Sequence, residues 1–208
     1  LLHTYQMDSC IKESEEETYY YGFHLGMEKE ILILTRQKEN TDDFNITEGM
    51  SCFPYVMDSF REKDISYIVM NYVKGVFICK YMEQEVPFSE RQLVAMGLDI
   101  CSILQEFRQR RLLCTKLWKL DNVMFTSESK ICFLGRNGLE KRESVSEVEK
   151  ENFKAALAFL RCVCTDRNSV FYEIIERNYT NEKSLKRALL NIARKTVRYK
   201  RMVWTQRG

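Results

Sequence analysis

Along the first third of the chain, apolar residues come in short runs broken by charged clusters; beyond Pro87 they recur every three or four residues. Tyr5–Ser14 reads as a strand centred on Cys10-Ile11-Lys12, and the acidic run Glu13–Glu17 as a solvated loop. Over Phe23–Lys38, Met27, Ile31, Leu34 and Lys38 fall on one face at helical spacing, with Leu32 beside them, which predicts a helix. Thr41–Gly49 is polar, with Asp42-Asp43 and Gly49 as breakers, and reads as a loop. Phe53–Phe60 and Ser66–Tyr72 alternate or run apolar on either side of the charged turn Arg61–Asp64, which is an antiparallel hairpin pattern.

After Pro87 the rhythm becomes helical. Ser89-Glu90-Arg91-Gln92 opens a helix, with Ser89 as N-cap and Gln92 completing a capping box. Leu93, Met96, Ile100, Ile103, Leu104 and Phe107 form its apolar stripe, and Arg108–Arg111 end it with charge that suits the helix dipole. Two short strands follow, Val123–Phe125 and Lys130–Leu134, joined by Thr126–Ser129. Arg136–Ser146 is polar and without period. Val148–Cys164 is a second long helix, apolar at Phe153, Leu157, Leu160 and Val163; Val170–Arg177 and Glu182–Tyr199 read as further helices. No internal repeat is visible. Strands first and helices afterwards give an α+β chain in two lobes, with the boundary near Gly75–Glu85.

Composition narrows the function classes. The 208 residues suit one large domain or two small lobes, and a hydrophobic fraction of 45% supplies a core. Lys and Arg total 32 against 30 Asp and Glu, and this near balance argues against a nucleic-acid binder. No apolar run approaches the ~20 residues that cross a bilayer, and the start Leu-Leu-His-Thr-Tyr-Gln lacks the basic and apolar segments of a signal peptide. The eight cysteines lie scattered through apolar segments, which predicts buried free thiols in a reducing cytosol; Cys162-Val-Cys164 lacks the second ligand pair of a zinc site. A cytoplasmic location is expected. The stretch Glu182–Trp204 gathers Lys183, Lys186, Arg187, Arg194, Lys195, Arg198, Lys200 and Arg201, then Met202-Val203-Trp204. A solvated helix face is the plain reading. The sharper one is a partner surface of Lys186, Arg187, Arg194, Arg198, Arg201 and Trp204 for an acidic protein. It becomes a membrane-proximal surface only if a membrane segment follows residue 208.

Thr115-Lys116-Leu117-Trp118-Lys119-Leu120-Asp121-Asn122, then Val123-Met124-Phe125 and Ile131-Cys132-Phe133-Leu134-Gly135, resembles the catalytic centre of a protein kinase. Kinases read His-Arg-Asp-Leu-Lys-x-x-Asn and then Asp-Phe-Gly. Other segments match in order. Cys10-Ile11-Lys12 resembles the third strand, making Lys12 the phosphate-pairing lysine, and Glu30 resembles its glutamate partner on the following helix. Tyr67–Gly75 resembles the fifth strand and hinge, with Met70 as gatekeeper and the backbone of Asn71–Val73 facing an adenine. Lys119 matches the catalytic-loop lysine and Asn122 the metal-binding asparagine. The resemblance implies a two-lobed kinase-like fold: a reduced N-lobe with a small antiparallel sheet and one helix over residues 1–75, and a mostly helical C-lobe over 76–208. The compact linkers resemble bacterial serine/threonine kinase-like proteins.

The departures carry the functional expectation. Leu117 stands where the catalytic Asp belongs and Phe133 where the metal-binding Asp belongs, and neither can accept a proton or hold magnesium. No glycine-rich loop precedes Lys12, and no Ala-Pro-Glu follows Gly135. The expectation is a pseudokinase with no catalytic residue, no metal site and no required cofactor. ATP binding, if any, would be weak and magnesium-independent, through Lys12, Glu30, Met70, Asn71, Val73, Lys119 and Asn122. Function would then lie in protein interaction or regulation, with Lys12–Glu30 as a conformational latch. One alternative is a divergent kinase or nucleotide-transferring enzyme using other residues; rescue by Asp121 is its weakest form. The other is a nucleic-acid-binding accessory domain acting through the basic C-terminal helix.

Overall fold

A computed structural model describes residues 4–37, 42–177 and 179–205, with the side chains of 42, 43 and 195–205 outside the description. The fold is mixed α+β with antiparallel sheets. The chain divides into two compact units, Leu1–Lys74 and Gly75–Gly208.

The first unit is a five-stranded antiparallel sheet in the order β1-β2-β3-β5-β4, from β1 (Tyr5–Glu13), β2 (Glu17–His24), β3 (Lys29–Arg36), β4 (Val56–Glu62) and β5 (Ile65–Asn71). Of the residues predicted helical, Phe23–Lys38, those to Arg36 instead form the end of β2, a turn and β3, and Lys38 lies outside the described residues. Glu28 turns the corner in the left-handed region at φ 52°. Ile31-Leu32-Ile33-Leu34 is buried on both faces because β3 is the central strand, and a doubly buried strand shows no alternation to read. The spacing of Met27, Ile31 and Leu34 mimicked a helix stripe within that continuous run. The acidic run is not a loop throughout: Ser14 caps the β1–β2 turn by accepting from the Glu17 N–H, and Glu17 itself is buried on β2. The polar stretch after β3 contains a helix, α1 (Asp42–Thr47), where a loop was expected.

The sheet is rolled. A flat sheet would hold β1 and β4 roughly 19 Å apart, four strand spacings. Yet the Tyr5 ring of β1 stacks on Phe60 of β4 at 5.9 Å, and the Tyr5 hydroxyl donates to Asp58 at 2.7 Å. The inner face closes over Ile31, Ile33 and Val69, with Tyr20, Met57, Phe60 and Tyr67 packed against them. Burial and the Asp58 carboxylate push the Tyr5 phenol up to about 12. The opposite face buries Tyr19, Leu32, Leu34, Ile68 and Met70. It also buries an ion pair: Arg36 lies 3.6 Å from Glu17, Tyr19 donates to the same carboxylate, and the guanidinium sits 4.9 Å from the centroid of Phe44 on α1.

The second unit begins with β6 (Gly75–Phe77) and α2 (Ile78–Met82), and then α3 (Glu90–Arg110). Ser89 and Gln92 form the predicted capping box, and the whole predicted stripe of α3 is buried. After β7 (Leu112–Leu113) a single 3-10 turn, Thr115–Leu117, leads to β8 (Val123–Thr126) and β9 (Ile131–Phe133), which pair with each other and with β6. Asp99 of α3 ties β9 down by accepting from the Ile131 N–H at 2.7 Å and pairing with Lys130. The polar stretch after Gly135 holds β10 (Glu140–Lys141), paired with β7. Helices α4 (Val145–Val163), α5 (Val170–Ile175) and α6 (Glu182–Thr205) complete the unit. Alpha6 packs on α3 where Gly97 lets it close in; a Cβ there would lie 2.7 Å from Leu189. Arg108 joins three helices by pairing with Glu149 of α4 and Glu182 of α6.

Arg36→Ala is expected to destabilise the protein by about 3–5 kcal/mol in urea unfolding, because Glu17 would remain charged and buried. The paired change Glu17→Leu with Arg36→Met is expected to recover most of that loss. An Arg36→Ala cost below about 1 kcal/mol would mean that the pair is not structural.

Candidate functional site

The kinase-like motif falls on the segment from Leu112 to Gly135, where a single 3-10 turn and irregular chain over 114–122 connect β7 to β8. Buried backbone groups without a ladder need other partners, and two asparagines provide them. Asn122 donates to the carbonyls of Leu117 at 3.1 Å and Gly135 at 3.3 Å, and accepts from the Gly135 N–H at 2.7 Å. Asn152 of α4, 1% exposed, accepts from the Cys114 N–H at 2.8 Å and donates to the Leu112 carbonyl at 2.7 Å. The Leu134 N–H closes onto the Asn122 carbonyl at 3.1 Å. The loop is thereby held at both ends, and every hydrogen-bonding atom of the Asn122 amide is engaged.

Apolar packing fills what these amides enclose. Phe133 is fully buried, with its ring edge-on to Trp118 at 4.9 Å and Phe107 at 6.3 Å; Trp118 in turn lies against Phe159 of α4. Leu117 is 1% exposed. The charged residues point outward: Lys116, Lys119 and Asp121 are exposed, and Lys116 pairs with Glu140 at 3.6 Å on the surface. Among the described residues no group of three His, Cys, Asp or Glu side chains could hold a metal ion. Neutral amides and apolar packing tie this loop down.

The remaining predicted residues do not assemble as expected. Lys12 lies on β1, not on a third strand, opposite Tyr19 of β2. Glu30 lies on β3, not on a helix, and accepts from the Tyr21 hydroxyl at 2.7 Å. Tyr19 pairs with Leu34, so β2 and four residues of β3 separate Lys12 from Glu30. That is roughly 15 Å, too far for the proposed latch. The Glu30 carboxylate and burial push the Tyr21 phenol up to about 12. Met70 is fully buried in β5. Asn71 is committed locally: its backbone N–H donates to the Tyr55 carbonyl, and its side-chain oxygen accepts from the Tyr55 N–H at 2.7 Å. Val73 is half-buried. On α6, Arg187 and Arg194 are exposed and Lys186 is half-buried; the side chains of Arg198, Arg201 and Trp204 lie outside the described residues.

Sequence reasoning missed Asn152, Arg136 and the Glu17–Arg36 pair. Asn152 had a readable signal, because it sits one turn from Val148 and from Ala156, inside the apolar stripe. A polar residue in such a stripe marks a buried hydrogen bond. Arg136, 3% exposed, follows Gly135 in a stretch whose polarity suggested only a loop. No protein-family model matches the sequence, and no characterised protein matches it. No helix among the described residues is long and apolar enough to cross a membrane.

Asn122→Ala is expected to cost about 2–4 kcal/mol of stability through the stranded Gly135 and Leu117 backbone groups, and Phe133→Ala about 3–5 kcal/mol through its cavity. Urea titration of the whole chain measures both; near-neutral values would show a loosely packed loop.

The thiols supply a pH prediction. Burial raises Cys101, Cys114 and Cys132 from 9.0 to about 12. Because the folded value is the higher, the unfolded chain ionises first. Stability is full below about pH 9 and is lost as pH climbs towards 12. The urea midpoint is therefore expected to fall steadily above pH 9. At neutral pH an alkylating reagent should label exposed Cys10 and Cys162 well before these three. Equal labelling of all eight cysteines would contradict the packing.

Proposed function

We propose that this chain is a catalytically inactive kinase-like domain, a pseudokinase, that acts as a protein-interaction or regulatory module. One observation carries the reading. At the two positions where the resemblance calls for carboxylates, Leu117 and Phe133 are buried in a packed apolar cluster, and the neighbouring Asn122 amide is consumed by backbone. Phosphoryl transfer needs metal ions to neutralise developing charge and a base to orient the acceptor. Placing a metal at Phe133 would require expelling a buried ring and leaving a cation without ligands. The wide separation of Lys12 and Glu30 removes a second phosphate-handling pair from consideration. A rolled five-stranded antiparallel sheet followed by a helical unit supports the two-lobed kinase-like architecture, as do the order of the motifs and the loop that Asn122 ties to Gly135. On this reading ATP binds weakly or not at all, magnesium adds nothing, and the partner is a protein. Eight free thiols suit the reducing cytoplasm.

Thermal unfolding with ATP and with ADP, each with and without magnesium, tests this directly, since a ligand that binds the folded state raises the Tm. No magnesium-dependent rise is expected even at millimolar nucleotide. A rise of several degrees that requires magnesium would overturn the proposal and favour a divergent phosphotransferase.

A further inference from the structure

Along the edge of α4 runs a groove of ≈ 520 Å³ with the largely buried Phe153 and Leu157 as its floor. These residues stand one helical turn apart. Tyr179 and Thr180, in the segment between α5 and α6, form the facing wall. That wall is held in place from both sides. Arg161 binds Glu176 at 2.7 Å and donates to the Ile175 carbonyl at 3.2 Å. At the other end Asn181 caps α6, accepting from the Ser184 N–H at 3.0 Å. The groove therefore exists before anything enters it.

Its charges are unequally satisfied. Glu149 on the rim pairs with Arg108, and Arg161 pairs with Glu176. Lys150 and Lys154, also one turn apart on the rim and both exposed, have no carboxylate partner among the described residues. An apolar slot bordered by two uncompensated ammonium groups has a definite complement: a side chain of the Leu or Phe type, flanked by carboxylates.

We infer that this groove docks an acidic, apolar-anchored segment of a protein partner, with the apolar side chain against Phe153, Leu157 and Tyr179 and the flanking Asp or Glu residues over Lys150 and Lys154. The inference specifies the partner chemistry for the interaction-module reading and rests on that reading only for its biological setting. A peptide has the right dimensions, since i, i+4 pairs on a helix face can meet anchors at matching spacing. Rim charges of this kind set association and salt dependence.

The test is fluorescence anisotropy with the full chain and a labelled peptide alternating Glu or Asp with Leu and Phe. The control peptides replace its acidic residues by Lys, or its apolar residues by Ser. Binding is expected for the first peptide alone, weakening at least ~10-fold between about 50 and about 300 mM salt. Lys150→Glu with Lys154→Glu is expected to weaken it at least ~10-fold while leaving the circular dichroism spectrum unchanged. Tyr179→Ala alters the wall without touching the α4 floor, and should weaken it several-fold. Equal binding by the charge-reversed protein, or by the serine control, would overturn the inference. So would equally good competition by heparin, which would mark a general polyanion patch. A magnesium-dependent nucleotide effect would sink the pseudokinase reading and leave this peptide result standing on its own.

Discussion

Two buried amides govern the segment on which the functional reading turns. Between β7 and β8, over 114–122, the chain lies outside any ladder, and Asn122 and Asn152 supply partners to the backbone there and at its flanks. Both are neutral and can donate and accept at once, which suits a loop presenting carbonyls and N–H groups together. A carboxylate at either place could only accept, and the carbonyls of Leu117, Gly135 and Leu112 would then face it unpaired. Because the amides keep the backbone satisfied, the side chains between them are released to pack. Leu117, Phe133 and Trp118 do so, and Phe133 sits between Phe107 and Trp118 in an aromatic run from Phe107 to Phe159. The frame and its filling depend on each other.

How far the sequence could be read follows from how local the deciding forces are. Alpha3 was legible because its cap, stripe and basic end lie within one helix, and Ser89, Gln92 and the residues from Leu93 to Phe107 act there as their spacing suggests. The β4–β5 hairpin was legible for the same reason, with its charged turn between two strands. Beta3 was not, because what makes it a strand is pairing on both sides with β2 and β5, and burial of both faces erases the period. A run such as Ile31–Leu34 is ambiguous by pattern alone; the neighbouring tyrosines of β2 and the turn at Gly26 were the better guide. The error then spread, since reading β3 as a helix turned Glu30 into a helix residue, whereas the strand read over Tyr5–Ser14 did form, as β1 with Lys12 on it. Within the candidate site, Leu117, Asn122 and Phe133 could be picked out by motif. Asn152 could not be linked to them, because its contacts cross about forty residues of sequence to reach Leu112.

The distribution of charge separates structure from surface. Three acid–base arrangements are spent on holding the fold: Glu17 with Arg36 in the sheet, Arg108 with Glu149 and Glu182 between helices, and Asp99 with Lys130 at β9. The first is buried and desolvated, so its partners are bound to each other in a way that removing one would make costly. Exposed pairs such as Lys116 with Glu140 contribute little.

Against that background the rim of the α4 groove stands apart. Acidic residues are abundant in this chain, and Glu147 and Glu151 lie on the same helix as Lys150 and Lys154. A helix needing only solubility could have paired these charges at i, i+4 spacing, as helices commonly do. Here Glu147 serves the N-terminal end, where its backbone N–H donates to the Ser144 cap, and the two lysines border an apolar slot without a carboxylate partner among the described residues. The segment around Leu117 and Phe133 is closed by packing, whereas the α4 groove combines shape, an apolar floor and uncompensated positive charge in one place.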